Sequence, residues 1–524
     1  MGKKTLLSSL LLVVLLAAAS TIAATPATVS STQPAIKLAV SSAGEISLSL
    51  GAKGLASGFW RLFPADFHGV DADQIAIGNL VESAATQQSP TRAQVVDTYT
   101  DAKATTDITL DGEDLCLSMH VQNLDAAKSL KMVAMKGLTF HFARNATGSI
   151  PSWHISYMQA HELSMLHPGL LTPVGAVSAH DDQFGFCVHS ETEFFNQSLF
   201  SASWQKDGIT PADCVVEFHT RVIVPPGKSR DIDAHFRIST DTSLQHLYAD
   251  YKRIYTAHFP KLLYHADARP LAQFVAVDKS QVNPSNPHGY SGGIRRLDSA
   301  AGTGAYVRVM APVLAKADAL GIIFWCPGGY REPMYPPDFD EFPKSVQRNI
   351  PALVDGFKQR GLRVGLLARC GDGVKREEGK PPEVYRLDAG NDEQMKTLLN
   401  RFDHARDMGF DMFYLDSFGA DVPNDWLILQ KIRSHVGPDV LLYSEFNTDM
   451  TLPYAGHYCE WRGDGILWTT PEQYAAMRYI CPDSTWLCLS RTRPPVPAVF
   501  AQLGLTPLVQ DGDAGWLPTS RPAR

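Results

Sequence analysis

The feature that most constrains this chain is a change of rhythm near residue 242. Upstream, from about residue 34 to 240, short runs alternate apolar and polar residues and are broken by Gly, Pro, Asn and Asp. Ile46-Ser-Leu-Ser-Leu50, Leu115 to Val121 and Val215 to Val224 have a period of two, which puts successive side chains on opposite faces of a strand. Pro225-Pro-Gly227 turns the chain into the next such run, Ile232 to Ile238. Strands joined by tight turns, with no long helical period, predict a β-sandwich. About 200 residues is too many for an immunoglobulin-like module, so a many-stranded super-sandwich is expected.

Downstream, Leu244 to Tyr255 has the period of a linking helix. Apolar runs of about five residues then alternate with amphipathic stretches: Phe274 to Asp278, Ile322 to Cys326, Val364 to Ala368, Met412 to Asp416 and Leu441 to Glu445. The helical stretches fall around Tyr306–Ala319, Val346–Arg360, Asp392–Met408 and Asp425–His435. Apolar strands separated by helices are parallel strands covered on both faces. From Phe274 onward the chain has the roughly 250 residues of a (β/α)8 TIM barrel. Gly465 to Trp468, Thr485 to Leu489 and Pro507 to Val509 are the expected sixth to eighth strands, so the barrel closes tersely or is shortened at its C-terminus. An open doubly wound sheet is the other reading, but no GxGxxG follows a strand. The expected domains are a signal peptide over 1–24, a β-super-sandwich over 25–241, a helical linker over 242–270 and the barrel over 271–524.

Lys3, Lys4 and the apolar stretch Leu6 to Ala19, with small residues around Ala23 and Ala24, form that signal, so a secreted or periplasmic protein is expected. An uncleaved anchor is the alternative. No later segment is long and apolar enough to cross a membrane as a helix. The net charge of -8 with no basic run argues against nucleic acid as a partner. The charged share of 19% lies below the roughly 25% of ordinary globular chains and fits large buried cores. The eight cysteines form no CxxC pair, which excludes the usual zinc spacings. Cys481 and Cys488 are one conceivable bridge, with free buried cysteines as the equal alternative, and Asn145 and Asn196 head glycosylation sequons. Without HExxH or paired histidines no metal site is expected, Asp511 and Asp513 lack the later ligands of a calcium loop, and no cofactor is expected.

In a barrel the chemistry sits at the C-terminal strand ends. Asp416 and Glu445 each close an apolar strand and are 29 positions apart, one strand-helix-strand repeat. On neighbouring strands about 4.8 Å apart, their carboxyls approach the roughly 5 Å separation of a retaining glycosidase pair. Trp325, Tyr330, Phe418, Trp426, Phe446 and Trp461 fall on or near the loops that follow, where aromatic rings can stack on sugar C–H faces. Arg369 and Asp372 are expected to bind hydroxyls or hold the nucleophile ionised; a structural ion pair is the other reading.

The segment Tyr385 to Asp392, the helix after it and Gly409-Phe-Asp-Met-Phe-Tyr-Leu-Asp-Ser-Phe-Gly419 resemble the third-to-fourth-strand region of retaining α-glycosidase barrels. With Leu441 to Phe446 and the preceding super-sandwich, the chain is similar to the endo-α-N-acetylgalactosaminidase families, and more distantly to the α-amylase and α-galactosidase superfamilies. The resemblance implies a glycan substrate, Asp416 as nucleophile and Glu445 as acid/base. Barrels of the α-galactosidase type take their acid from further along, which makes Glu460 and Asp464 rivals. A non-catalytic carbohydrate-binding protein on the same scaffold is the alternative.

Overall fold

The structure is a computed structural model. It describes residues 35–63, 72–131, 134–142, 176–181, 183–191, 198–204, 213–220, 223–275, 283, 285, 296–325, 343–375, 383–416, 418, 422–445, 448–461, 466–467, 471–490 and 498–510. The expected signal peptide, both sequons, Cys326, Tyr330, Phe446, Asp464, Asp511 and Asp513 lie outside these residues.

The upstream half is an antiparallel super-sandwich. One sheet of six strands runs in the order 36–40, 46–50, 53–63, 134–141, 213–220, 198–204. The other, of seven, runs 176–180, 185–189, 229–239, 114–123, 102–111, 92–99, 80–89. Alternation along Asp114–Asn123 buries Leu115, Leu117, Met119 and Val121. Between the sheets Phe140 of one stacks on Phe186 of the other, ring centroids 4.0 Å apart, while Trp60 meets Phe236 edge-on at 5.8 Å.

The downstream half is a closed barrel of eight parallel strands: Leu271–Val275, Gly321–Trp325, Arg363–Ala368, Met412–Leu415, Leu441–Ser444, Gly456–Trp461, Trp486–Ser490 and Thr506–Gln510. Parallel pairing of Tyr443 with Gly456 completes the ring. Strand alternation divides the apolar residues in two. Ile323, Leu367, Met412, Tyr414, Leu441, Tyr443 and Tyr458 fill the interior, whereas Phe324, Leu366, Phe413, Leu442 and Cys459 face the helices. Gly365 stands in the interior opposite Met412; a Cβ there would come within 2.7 Å of the Met412 Cβ, so glycine makes room for that neighbour.

The helix Asp392–Asp407 sets the entry to strand four. Asn391 caps it by accepting from the backbone N–H of Glu393 and Gln394, and Met395, Leu398, Phe402 and Ala405 form its buried stripe. Gly409, at φ +95 and with the Val354 side chain 2.7 Å from where a Cβ would stand, turns the chain into the strand.

On three points the structure decides or shifts an expectation. Strand one, Leu271–Val275, begins three residues before the expected Phe274, and 276–278 lie outside the described residues. Strand six is Gly456–Trp461; Ile466–Leu467, inside the run expected to be strand six, only adds an antiparallel flap to it. Cys481 and Cys488 are both free and buried, and Cys488 stands opposite Cys459 on the next strand.

The missed strand has a structural cause. Among the described residues no helix connects strands five and six; turns at 448–455 run along the barrel flank. That flank is covered by the linking helices Leu244–Leu247 and Ala249–His258. Tyr251 donates its hydroxyl to Asp449 Oδ2 at 2.7 Å, Tyr255 donates to the Asp449 carbonyl at 2.9 Å, and Phe259 meets Tyr454 edge-on at 5.8 Å. The linker goes on to insert Tyr264, only 4% exposed, into the inner cluster of the barrel.

Candidate active site

The register puts Arg369, Asp416 and Glu445 one step past paired residues on strands three, four and five. Ala368 pairs with Leu415, and Leu415 with Ser444. The ladder continues through them: the Asp416 N–H donates to the Ala368 carbonyl at 2.9 Å and the Glu445 N–H to the Leu415 carbonyl at 3.2 Å. Each of the three is two residues beyond an interior side chain (Leu367, Tyr414, Tyr443), so each points into the mouth of the barrel.

Strand six repeats the arrangement. Tyr458 is interior, and Glu460 stands two residues further toward the mouth. Strands four, five and six therefore carry the same element, a tyrosine below and an acid about 6.6 Å above it: Tyr414-Leu-Asp416, Tyr443-Ser-Glu445 and Tyr458-Cys-Glu460. The first and third tyrosines meet across the interior, ring centroids 4.5 Å apart, and Trp325 stacks on Tyr414 at 4.2 Å and 21°. Side chains of alternate strands share a layer in such barrels, so Asp416 and Glu460 form the next layer up. Glu445, on the strand between them, lies half a layer lower.

Arg369 Nε donates to Asp416 Oδ2 at 3.0 Å, with side-chain exposures of 8% and 15%. Tyr414 donates a hydrogen bond to Glu445 Oε1, and Tyr458 donates to Glu460 Oε1 at 3.1 Å. Burial pushes the Tyr414 phenol well above its ordinary range, and the charges of Glu445, Tyr458 and Asp416 push it further. It therefore stays protonated and donates. Among the described residues no group of three or more His, Cys, Asp or Glu is placed to hold a metal ion.

The other expected site residues are distributed differently. Trp325, partly exposed, forms the aromatic floor with Tyr414 and Tyr458. Phe418 is fully buried in the outer core, and Trp426 is 2% exposed there, so neither offers a face to a sugar. Asp372 starts a hairpin with 383–386 and takes Arg386 at 2.7 Å; the same guanidinium holds the fully buried Asp425. That is a structural network. Trp461 is placed by its backbone alone, paired with Ser490 and Ile466. The tyrosines beneath the acids are the residues that sequence reasoning missed, although the thrice-repeated Tyr-x-Asp/Glu was there to be read.

No family model matches the chain, and no curated protein sequence matches it. Solved structures do. The α-N-acetylgalactosaminidase NagBb from Bifidobacterium bifidum, in complex with GalNAc, is similar at a TM-score of 0.53 and 13% identity, over 91% of this chain and 87% of that one. Its quadruple mutant gives 0.55 at 12%, over 93% and 91%. The α-galactosidase TtGalA from Thermus thermophilus gives 0.43 at 14%, over 79% and 90%, too loose a likeness to argue from. At such identities the likeness is one of fold, and it is the fold of this chain as a whole, antiparallel sheets followed by a closed (β/α)8 barrel.

Proposed function

We propose that the protein is a retaining glycoside hydrolase acting on an α-linked sugar, with Asp416 as its nucleophile. The observation that carries this reading is the row of inward acids at the barrel mouth, in which Asp416 takes the guanidinium of Arg369 at 3.0 Å. A cation beside a carboxylate favours the ionised form that a nucleophile needs. Asp416 attacks the anomeric carbon, the glycosidic C–O bond breaks, and the departing oxygen takes a proton from a second carboxyl. Water, deprotonated by that carboxylate, then displaces Asp416 with net retention.

Glu460 is our assignment for the acid/base. It shares a layer with Asp416 above the Tyr414–Tyr458 contact and so faces it across the gap where a glycosidic oxygen would lie. A second reading gives the role to Glu445, because it is in register with Asp416 on the adjacent strand. The Trp325 face is the platform for the sugar ring. The sugar named for the similar fold, N-acetylgalactosamine, is the first candidate. Residues 1–24 are read as an export signal, so the enzyme acts outside the cytoplasm; N-terminal sequencing of secreted protein tests this.

A panel of aryl α- and β-glycosides, followed by proton NMR of the first-formed sugar, tests the function. Hydrolysis of an α-glycoside with the α-anomer appearing first is expected. Inversion contradicts the mechanism, and sugar binding without turnover makes the protein a carbohydrate binder.

A further inference from the structure

The outer face of the seven-stranded sheet carries a cysteine, a histidine and an aspartate that barrel chemistry leaves unused. Cys116 stands directly opposite His235 in the antiparallel pairing of Asp114–Asn123 with Ser229–Ser239. Directly opposed side chains share a face, with Cβ atoms about 5 Å apart. His235 Nε2 lies 2.6 Å from Asp233 Oδ2, two residues back on the same face. Asp233 is itself fixed: the Ser190 hydroxyl donates to it at 2.7 Å and the Glu191 N–H at 3.0 Å. With Nε2 on Asp233, the other ring nitrogen is left for the Cys116 sulfur on the facing strand.

The electrostatics agree with this geometry. The bonds to Asp233 and then to Cys116 hold the imidazole protonated up to about 10. His189 stacks on His235 at 5.5 Å; burial pushes it down to about 3, so it stays neutral and adds no second charge. Nearby, Arg237 on the same strand is paired with Asp114 at 2.6 Å and with Asp250, and Arg253 is paired with Glu191 at 3.1 Å. Cys116 is partly exposed and the His235 side chain is 35% exposed, so a small reagent can reach them. The other described cysteines are buried.

We infer that Cys116 is a reactive thiol, activated by His235 and Asp233, that exchanges with small disulfides. The thiolate, its proton held on His235, attacks one sulfur of the disulfide. A Cys116–S–S–R bond forms, the R–S–S–R bond breaks, and the departing thiolate leaves with the electron pair and takes up the proton.

The test uses the native full-length chain and the chromogenic disulfide 5,5′-dithiobis(2-nitrobenzoate) at pH 6 and pH 8. Cys326→Ser, Cys116→Ser, His235→Gln and Asp233→Asn variants are compared with the parent. A fast phase of one thiol is expected in the parent and in Cys326→Ser, and none in Cys116→Ser. The rate at pH 6 should fall roughly tenfold or more in His235→Gln, and in the same direction in Asp233→Asn should the first variant fold poorly. Oxidised glutathione should leave one adduct, on the Cys116 peptide. A fast phase that survives Cys116→Ser, or parental rates at pH 6 in a folded His235 or Asp233 variant, overturns the inference. No glycoside is involved, so the outcome is separate from that of the proposed hydrolase.

Discussion

Tyr251, on the helix joining sandwich to barrel, donates its phenol to the carboxylate of Asp449, 2.7 Å away in the turns between strands five and six. Asp449 is fully buried, and it also accepts from the Ala176 N–H at the start of a sandwich strand, 3.2 Å, and from the Met450 N–H beside it, 2.8 Å. One side chain thus ties together the sandwich, the linker and the stretch of barrel lying between Glu445 and Glu460.

Tyr251→Phe removes that donor and nothing else in volume. A buried acceptor left short of a partner costs about 1–3 kcal/mol. The expected result is a lower thermal midpoint with faster hydrogen exchange at 448–455. An unchanged midpoint and unchanged exchange would show that the tether carries no stability.

Stability should also fall in acid for a named reason. Burial holds His189 and His457 down to about 3, so the folded chain keeps them neutral while the unfolded chain protonates them below pH 6.5. Each then costs about 1.4 kcal/mol for every pH unit below 6.5, until its folded value near 3 is reached. His235 works in the opposite sense. Raised to about 10, it contributes stability that is fully present below 6.5 and fades as pH rises through 10. Denaturant midpoints across pH 4.5–9 should therefore peak between these limits, and His457→Gln should flatten the acid side. An acid slope equal to that of the parent would contradict it.

Glu460→Gln and Glu445→Gln separate the two acids. Loss of the general acid is felt most with poor leaving groups, on the order of 100-fold or more, while activated aryl glycosides are spared in the first step. That pattern is expected of Glu460→Gln. Glu445→Gln should lower all substrates alike, because it disturbs the hydrogen bond from Tyr414 and not the proton transfer. The reverse pattern returns the role to Glu445.

Arg369→Met leaves Asp416 without its cation and should reduce kcat/KM on the order of 100-fold, with Arg369→Lys recovering part of it. Equal kcat/KM in parent and Arg369→Met would reduce the ion pair to a structural contact.

Much of this was written locally in the chain. Strands two to five announced themselves as apolar runs after helical stretches, and with them the equivalent placement of Asp416 and Glu445. Strand six did not, for two reasons. Its sequence, Gly-His-Tyr-Cys-Glu-Trp, is too polar to read as a buried strand, and the helix that should precede it is supplied by residues 244–258, two hundred positions upstream. That substitution is tertiary information. Phe418 failed differently: a large aromatic after a strand end can turn toward the mouth or back under the helices, and side-chain direction there is decided by packing.

As the proposed nucleophile, Asp416 carries the glycosyl group in a covalent glycosyl-enzyme. An activated 2-fluoro α-glycoside of the sugar found by screening should accumulate that intermediate, and intact mass with peptide mapping reads it directly. One adduct of the glycosyl mass on Asp416, absent from Asp416→Asn while that variant still binds the sugar, is the predicted result. An adduct on any other residue would contradict the assignment and return Asp416 to the role of a structural acid held by Arg369.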